Sequence, residues 1–105
     1  MKPYKNYDKY LIKSLKDPVE AAAYLNAALE ENDLAVFLVA FYNVAQAHGI
    51  KKIADAAHLH RVSLNKMFSK KGNPELKSLL KVFAASHLRI RVEPVRSKIE
   101  RAKAA

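Results

Sequence analysis

The residues best suited to chemistry lie between Lys51 and Lys71. Arg61, Val62, Asn65 and Lys66 fall within six positions of one another. Arg and Lys donate to the acceptor edge of guanine, Asn pairs with adenine, and Val can touch a thymine methyl. Lys51, Lys52, Ser63, Lys70 and Lys71 flank that set with groups able to hold phosphate oxygens. Residues 51–71 carry six Lys and Arg against Asp55, a net +5. This is chemistry of recognition rather than of bond making. The spacing assigns Arg61, Val62, Asn65 and Lys66 to base edges, and Lys51, Lys52, Ser63, Lys70 and Lys71 to the phosphate backbone. The competing reading is an ordinary helical hairpin with a solvated basic face.

The four histidines invite a metal or catalytic reading, and the spacing argues against both. His58 and His60 stand two apart with no Cys and no carboxylate at ligand spacing, whereas a structural metal takes four protein ligands and a catalytic one about three. His60 and Ser63 lack a third residue to orient a triad, and a helix-cap contact accounts for them better. His48 and His87 fall near expected helix C-termini, where an imidazolium is favourable. With no Gly-rich phosphate loop either, no catalytic residue, metal site or cofactor is assigned.

The elements that must position the basic set follow from periodicity. In KKIADAAHLHRVSLNKMFS, Ile53, Ala54 and Ala57 share one side of a short helix, His58–Leu59–His60 breaks the period, and Leu64, Met67 and Phe68 recur at helical spacing. Two short helices joined by a turn of about three residues form a helix-turn-helix. Ala54 is small enough to let them cross closely, Leu59 can plug the turn into the core, and His60 caps the second helix. Arg61, Asn65 and Lys66 then project away from the apolar side.

Composition narrows the class. The chain has 105 residues, half of them hydrophobic, and no Cys. That is one domain with a single core and no disulfide framework. No apolar run reaches the ~20 residues that span a bilayer, and MKPYKNYDKY lacks a signal-peptide apolar region; a cytoplasmic protein is expected. The net charge of +9 is unevenly placed: residues 1–33 hold five Lys against six acids, −1, and residues 34–105 hold fourteen Lys and Arg against four acids, +10. Such separation suggests a polyanion partner for the second part.

Taken in order, residues 1–16 read as an N-terminal arm. Residues 1–7 show no period, and Tyr10, Leu11, Ile12 and Leu15 form a short helix or an arm on the core. Asp17-Pro18 is a cap-plus-proline start for a helix with an Ala22, Leu25, Leu29 stripe. Asp33 caps the next, Leu34 to Ala47, whose Leu34, Phe37, Leu38, Phe41 and Val44 form one stripe while Val36, Val39 and Ala40 add a second. A helix apolar nearly all round is a buried, central one, and Gly49 ends it in the left-handed conformation. Lys70-Lys71-Gly72 is a loop. Asn73-Pro74 repeats the start signal for a helix with Leu76, Leu79, Leu80 and Phe83 inward and Lys77 and Lys81 outward. Tyr10, Tyr24 and Tyr42 belong to the core edge. Leu88, Ile90 and Val92 alternate with Arg89, Arg91 and Glu93, the pattern of a half-buried strand that Pro94 ends. The chain offers that strand no partner, so a second copy is expected to pair with it through Leu88, Ile90 and Val92. Residues 95–105 are a basic tail. The domain proper is 17–94.

Three runs carry a family resemblance: DPVEAAAYLNAALEEND, VAQAHG and KKIADAAHLHRVSLNKMFSKKGNPELKSLLKVFAASHLRIRVEP. Together they resemble the addiction-module antidote family, HigA-like antitoxins with a Cro/repressor-type helix-turn-helix, over about residues 11–94. The DP-x-x-AAAYLNAAL and S-x-K-GNP-x-L-x-S-LLKV blocks are its most specific parts. The chain departs from the pattern at His58, where the family usually has Gly in the turn, and at His60, where a Ser or Thr usually caps the recognition helix. The resemblance implies a protein that binds its own operator, represses its operon and neutralises a RelE-like toxin.

The fold class expected is therefore all-α: a repressor-like helix-turn-helix bundle of about five helices with one short C-terminal strand. The function expected is sequence-specific binding of double-stranded DNA by a homodimeric, non-enzymatic antitoxin with a cognate toxin as protein partner and no membrane. The alternative is a helical protein-interaction module with a basic surface and no specific DNA binding.

Overall fold

The computed structural model describes residues 3–69 and 72–95, with side chains from residue 9 onward. Six helices follow one another: α1 (Pro3–Ser14), α2 (Pro18–Glu30), α3 (Leu34–His48), α4 (Ile50–Ala57), α5 (Arg61–Met67) and α6 (Leu76–Ala85). Among the described residues the fold is all-helical, with no strand.

Helix α3 is the centre. Phe37, Leu38, Ala40, Phe41, Val44, Ala45 and Ala47 are buried, and α1, α2 and α4 all pack on it. Phe41 is fully enclosed. Its ring meets Phe37 at 5.7 Å, Phe68 at 5.5 Å and Phe83 at 4.4 Å, the tilted and edge-on arrangements that aromatic quadrupoles favour. This knot ties α3 to the end of α5 and to α6.

Caps set the other boundaries. Asp17 Oδ1 accepts from the Val19 N–H and Asp33 Oδ1 from the Ala35 N–H, each at 2.9 Å, satisfying donors that a helix start leaves orphaned. Gly49, at φ +97°, ends α3 and opens α4 at once, and the two axes are bent by 97° there. A Cβ at Gly49 would meet nothing nearer than Lys52 Cβ at 3.8 Å, so the backbone angle, not space, demands glycine.

Helices α4 and α6 end alike. The Leu59 N–H donates to Ala54 O and the His58 N–H to Asp55 O; the Leu88 N–H donates to Phe83 O and the His87 N–H to Ala84 O. Each is a Schellman stop, with His58 (φ +58°) and His87 (φ +63°) in the left-handed position usually given to glycine. Leu59 and Leu88 follow and pack against the core.

Several expectations are corrected. Of the short helix or arm expected around Tyr10–Leu15, the helix forms, but it begins at Pro3, in the stretch that showed no period; Leu11, Ile12 and Leu15 dock it from its last turn and the residue after it. The α2 stripe is rotated: Ala21, Leu25 and Ala28 are buried, Ala22 is half-buried and Leu29 is exposed, because small alanines turn that face to α3. Leu34, Val36 and Val39 are exposed rather than buried. α6 starts at Leu76, two residues beyond Pro74, with no side-chain cap bond; it buries Val82 and Phe83, while Leu76 and Leu80 stay exposed. Tyr24 and Tyr42 are half-buried at the core edge, but Tyr10 is exposed. The strand expected at Leu88–Val92 does not form. Leu88 instead closes the α6 stop, which leaves Ile90 and Val92 exposed, Val92 at 90%. A strand also needs a ladder partner, and the chain supplies none among the described residues.

Candidate nucleic-acid interface

Helix α5 is seven residues long and could not persist alone. It is held by Leu64, fully buried, and Met67, with Phe68 just beyond. Ala54 and Ala57 of α4 are buried beside it, so the two short helices pack closely through methyl-sized groups. The turn between them is His58–Leu59–His60, fixed by the α4 stop. His60 is the N-cap of α5 with φ −71° and ψ 146°, yet no side-chain cap bond forms, so the expected His60–Ser63 cap contact is absent.

Arg61, Val62, Ser63, Asn65 and Lys66 are all exposed. Val62 and Lys66 precede and follow the buried Leu64 by two residues, which at 100° per residue puts both opposite it. Val62 is 65% exposed, an apolar side chain offered to solvent in the first turn. Ser63 and Lys66 border a cleft of about 410 Å³ shared with Gly72–Glu75. Gly72 sits under the end of α5, where a Cβ would collide with the carbonyl oxygens of Met67 and Ser69.

The flanking lysines divide. Lys51 is exposed in the first turn of α4. Lys52 lines a different cavity, with His48, His58, Lys81 and His87. Lys70 and Lys71 lie outside the described residues, as do 96–105 of the basic tail. In that cavity the His48 and His87 rings meet edge-on at 6.1 Å. Burial first, then electrostatic repulsion from the side chains of His87 and Lys52, holds the His48 pKa below the ordinary 6.5. His48 is thus pushed toward the neutral form, the opposite of the expected imidazolium. Among the described residues no three His, Cys, Asp or Glu side chains converge to hold a metal ion, and no single helix is long and apolar enough to cross a membrane.

The charge pattern pointed to the acidic residues of 1–33 as a second surface, and the apolar groove beside them escaped it. Between α2 and α3 runs an apolar groove of about 480 Å³ lined by Tyr24, Ala28, Val36, Val39 and Glu31 among others. Asn43 Nδ2 donates to Tyr24 Oη at 2.9 Å and joins the two helices beside it. Leu29 and Leu34, each 54% exposed, and Val39, 59% exposed, lie on the same two helices, together with the exposed acids Glu30, Glu31 and Asp33. The acidic content of residues 1–33 was a signal for this surface; the exposed apolar residues were not, because they carry the same pattern as buried ones.

Residues 5–94 match the profile of a family described as "Probable addiction module antidote protein". The chain belongs to that family. A protein of Haemophilus influenzae (strain ATCC 51907 / DSM 11121 / KW20 / Rd), named only "Uncharacterized protein", is 34% identical over 77 residues, 73% of this chain and 79% of that one. No solved structure matches. Membership in the antidote family makes this chain a component of a toxin–antitoxin module and implies a cognate toxin as partner. The two family departures noted in the sequence have distinct structural outcomes. His58 accepts the left-handed turn position that Gly would fill without strain, and His60 leaves the cap of α5 without a side-chain acceptor.

Proposed function

We propose that this antidote protein is a sequence-specific DNA-binding repressor that binds its own operator through α5 and neutralises a RelE-like toxin. On this reading α4 and α5 are a helix-turn-helix, and α5 is the recognition helix laid in the major groove. The observation that carries it is the division of α5: Leu64 and Met67 are spent on the core, and Arg61, Val62, Asn65 and Lys66 are all left exposed. Those four read bases, while Lys51, Lys52, Ser63, Lys70 and Lys71 hold phosphates. The test is a titration of DNA from upstream of the gene and of random duplex at two salt concentrations. Strong salt dependence with preference for the upstream DNA is expected; equal affinity for both sequences overturns the repressor reading.

The toxin is assigned to the α2–α3 groove, because Glu31 lines it and the exposed Glu30 and Asp33 flank Glu31 in the chain, acidic groups that complement the basic surface such toxins carry. Reversing Glu30 and Glu31 to Lys should weaken binding of the product of a neighbouring toxin-like gene while sparing DNA binding. A protein-interaction module without specific DNA binding is the second reading, favoured by that same groove; the DNA titration decides between them. The active form is read as a cytoplasmic, non-enzymatic homodimer with its recognition helices about 34 Å apart. The exposed Ile90 and Val92 are its proposed contact, with Leu88 already engaged by the core. A mass of one chain at high concentration and on DNA would rule the dimer out.

A further inference from the structure

The groove between α2 and α3 has a form that selects what can fill it. Its α2 wall is Tyr24, Ala27, Ala28 and Glu31, at i, i+3, i+4 and i+7, one stripe of that helix. Its α3 wall is Ala35, Val36, Val39 and Ala40, a stripe at i, i+1, i+4 and i+5. Residues 31–33 join the two helices. Asn43, late in α3, bonds back to Tyr24, so the helices run antiparallel. From Tyr24 to Glu31 the trough is about 10 Å long, two helical turns at ~1.5 Å per residue.

Charge marks the same two helices. Residues 17–50 hold five acids and no Lys or Arg, a net −5, whereas the other 71 residues hold all 19 cations against five acids. The α3 wall is apolar and open to solvent, Val39 at 59% and Val36 at 39%. Glu31 is the one charged side chain that lines the groove, and the exposed Glu30 and Asp33 flank it in the chain.

These features exclude several occupants. An extended segment would leave its N–H and C=O groups unpaired on apolar walls, because helices offer no open sheet edge. A helix carries its backbone bonds within itself. Nucleic acid and anionic lipid are repelled by an acidic segment that has no cation. A second copy pairing through the same groove would set one hollow against another and bring two segments of charge −5 together.

We infer, on the assignment of the toxin to this groove, that the groove takes one amphipathic helix of that partner, with an apolar stripe at i, i+3 or i+4, and i+7 and a Lys or Arg at the end lying over Glu31. Ala27, Ala28, Ala35 and Ala40 keep the walls low, so a third helix can lie close to both. Val36 and Val39 meet its apolar stripe. This is helix-in-groove recognition, with the apolar stripe supplying the affinity and Glu31 fixing the register.

The chain has no Cys, so Ala27→Cys, Ala35→Cys and Val39→Cys each give one thiol, at an exposed position on the groove. Each variant is labelled with a small diazirine and irradiated in complex with the product of the neighbouring toxin-like gene, and the captured residues are located by mass spectrometry. The expected result is capture from all three sites in one segment of the partner, at residues three or four apart, with a Lys or Arg within a turn of the residue captured from position 35. In the unlabelled full chain, Val39→Asp should weaken binding about 100-fold and Glu31→Gln about threefold. The second difference should vanish at about 1 M salt, where exposed charge pairs are screened. Capture at consecutive or alternating residues, or in several segments, overturns the helix while leaving the toxin on the groove. Capture from none of the sites by a partner that still binds removes the toxin from the groove, and the helix with it. Capture of residues 96–105 of this chain, or of a second copy, in place of the partner overturns it as well. Where a label blocks binding, amide exchange of the partner with and without the unlabelled chain decides: protection of one helical segment upholds the helix, and protection of a strand or loop alone overturns it.

Discussion

In α5, Leu64 and Met67 are buried and the five residues before and between them are exposed; in α3, seven apolar residues are buried while Leu34, Val36 and Val39 of the same helix face solvent. Both helices are amphipathic in the end, but by different routes. α5 has too few apolar residues to choose among, so its inner face is written in the chain. α3 is apolar around most of its circumference, and its neighbours choose which residues to cover. The face left over on α3, where Val36 and Val39 line a groove with Tyr24, Ala28 and Glu31, differs most from the basic one on α5. The two surfaces lie on different helices, so each should be alterable without the other.

The largest effect should come from removing the anchor of α5. Leu64→Ala is expected to cost about 2–5 kcal/mol in urea denaturation, as for other fully buried leucines, whereas Leu34→Ala on the exposed α3 face should change stability by about 0.5 kcal/mol or less. Similar losses at the two positions would dissolve the distinction between written and chosen faces. Next in size, Arg61→Ala or Asn65→Ala should weaken operator binding by about 1–3 kcal/mol and relax preference at one base pair, with Glu30 and Glu31 reversals leaving that affinity within error. Equal weakening on operator and random duplex would remove the base-reading role from α5.

Two gains sharpen the account of the turn. His60→Ser supplies the missing cap acceptor and should stabilise the chain by about 1 kcal/mol, raising its melting temperature. His58→Gly relieves a left-handed side chain and should contribute roughly another 1 kcal/mol, read in the same melts. The smallest effect concerns pH. The folded pKa of His48 lies below its ordinary 6.5, so between those two values the unfolded chain binds more protons than the folded one. Stability therefore rises with pH through that window and is level above it. His48→Gln should flatten this slope in urea melts; an unchanged slope would show that the depression lies elsewhere.

The residues that decide α2, α3, α4 and α5 were legible in the chain because their signals are local. Asp17-Pro18 and Asp33 satisfy orphan backbone donors within two residues, Gly49 meets a positive φ, and the Ile53–Ala57 and Leu64–Phe68 spacings each leave one possible inner face. Exposure of Arg61, Val62, Asn65 and Lys66 follows from the same short-range geometry. Other features depended on what each segment meets. Helix α1 forms because α3 offers a surface for Leu11, Ile12 and Leu15. The alternation from Leu88 to Val92 forms no strand because a strand is a property of two segments, and among the described residues only one is present. Two His-Leu pairs, His58-Leu59 and His87-Leu88, were visible as sequence, and each ends a helix by local hydrogen bonds. That both histidines then line one cavity with His48, Lys52 and Lys81 required α4 to pack on α6, a long-range contact that no spacing along the chain encodes, since burial depends on the partner surface and not on the residue alone.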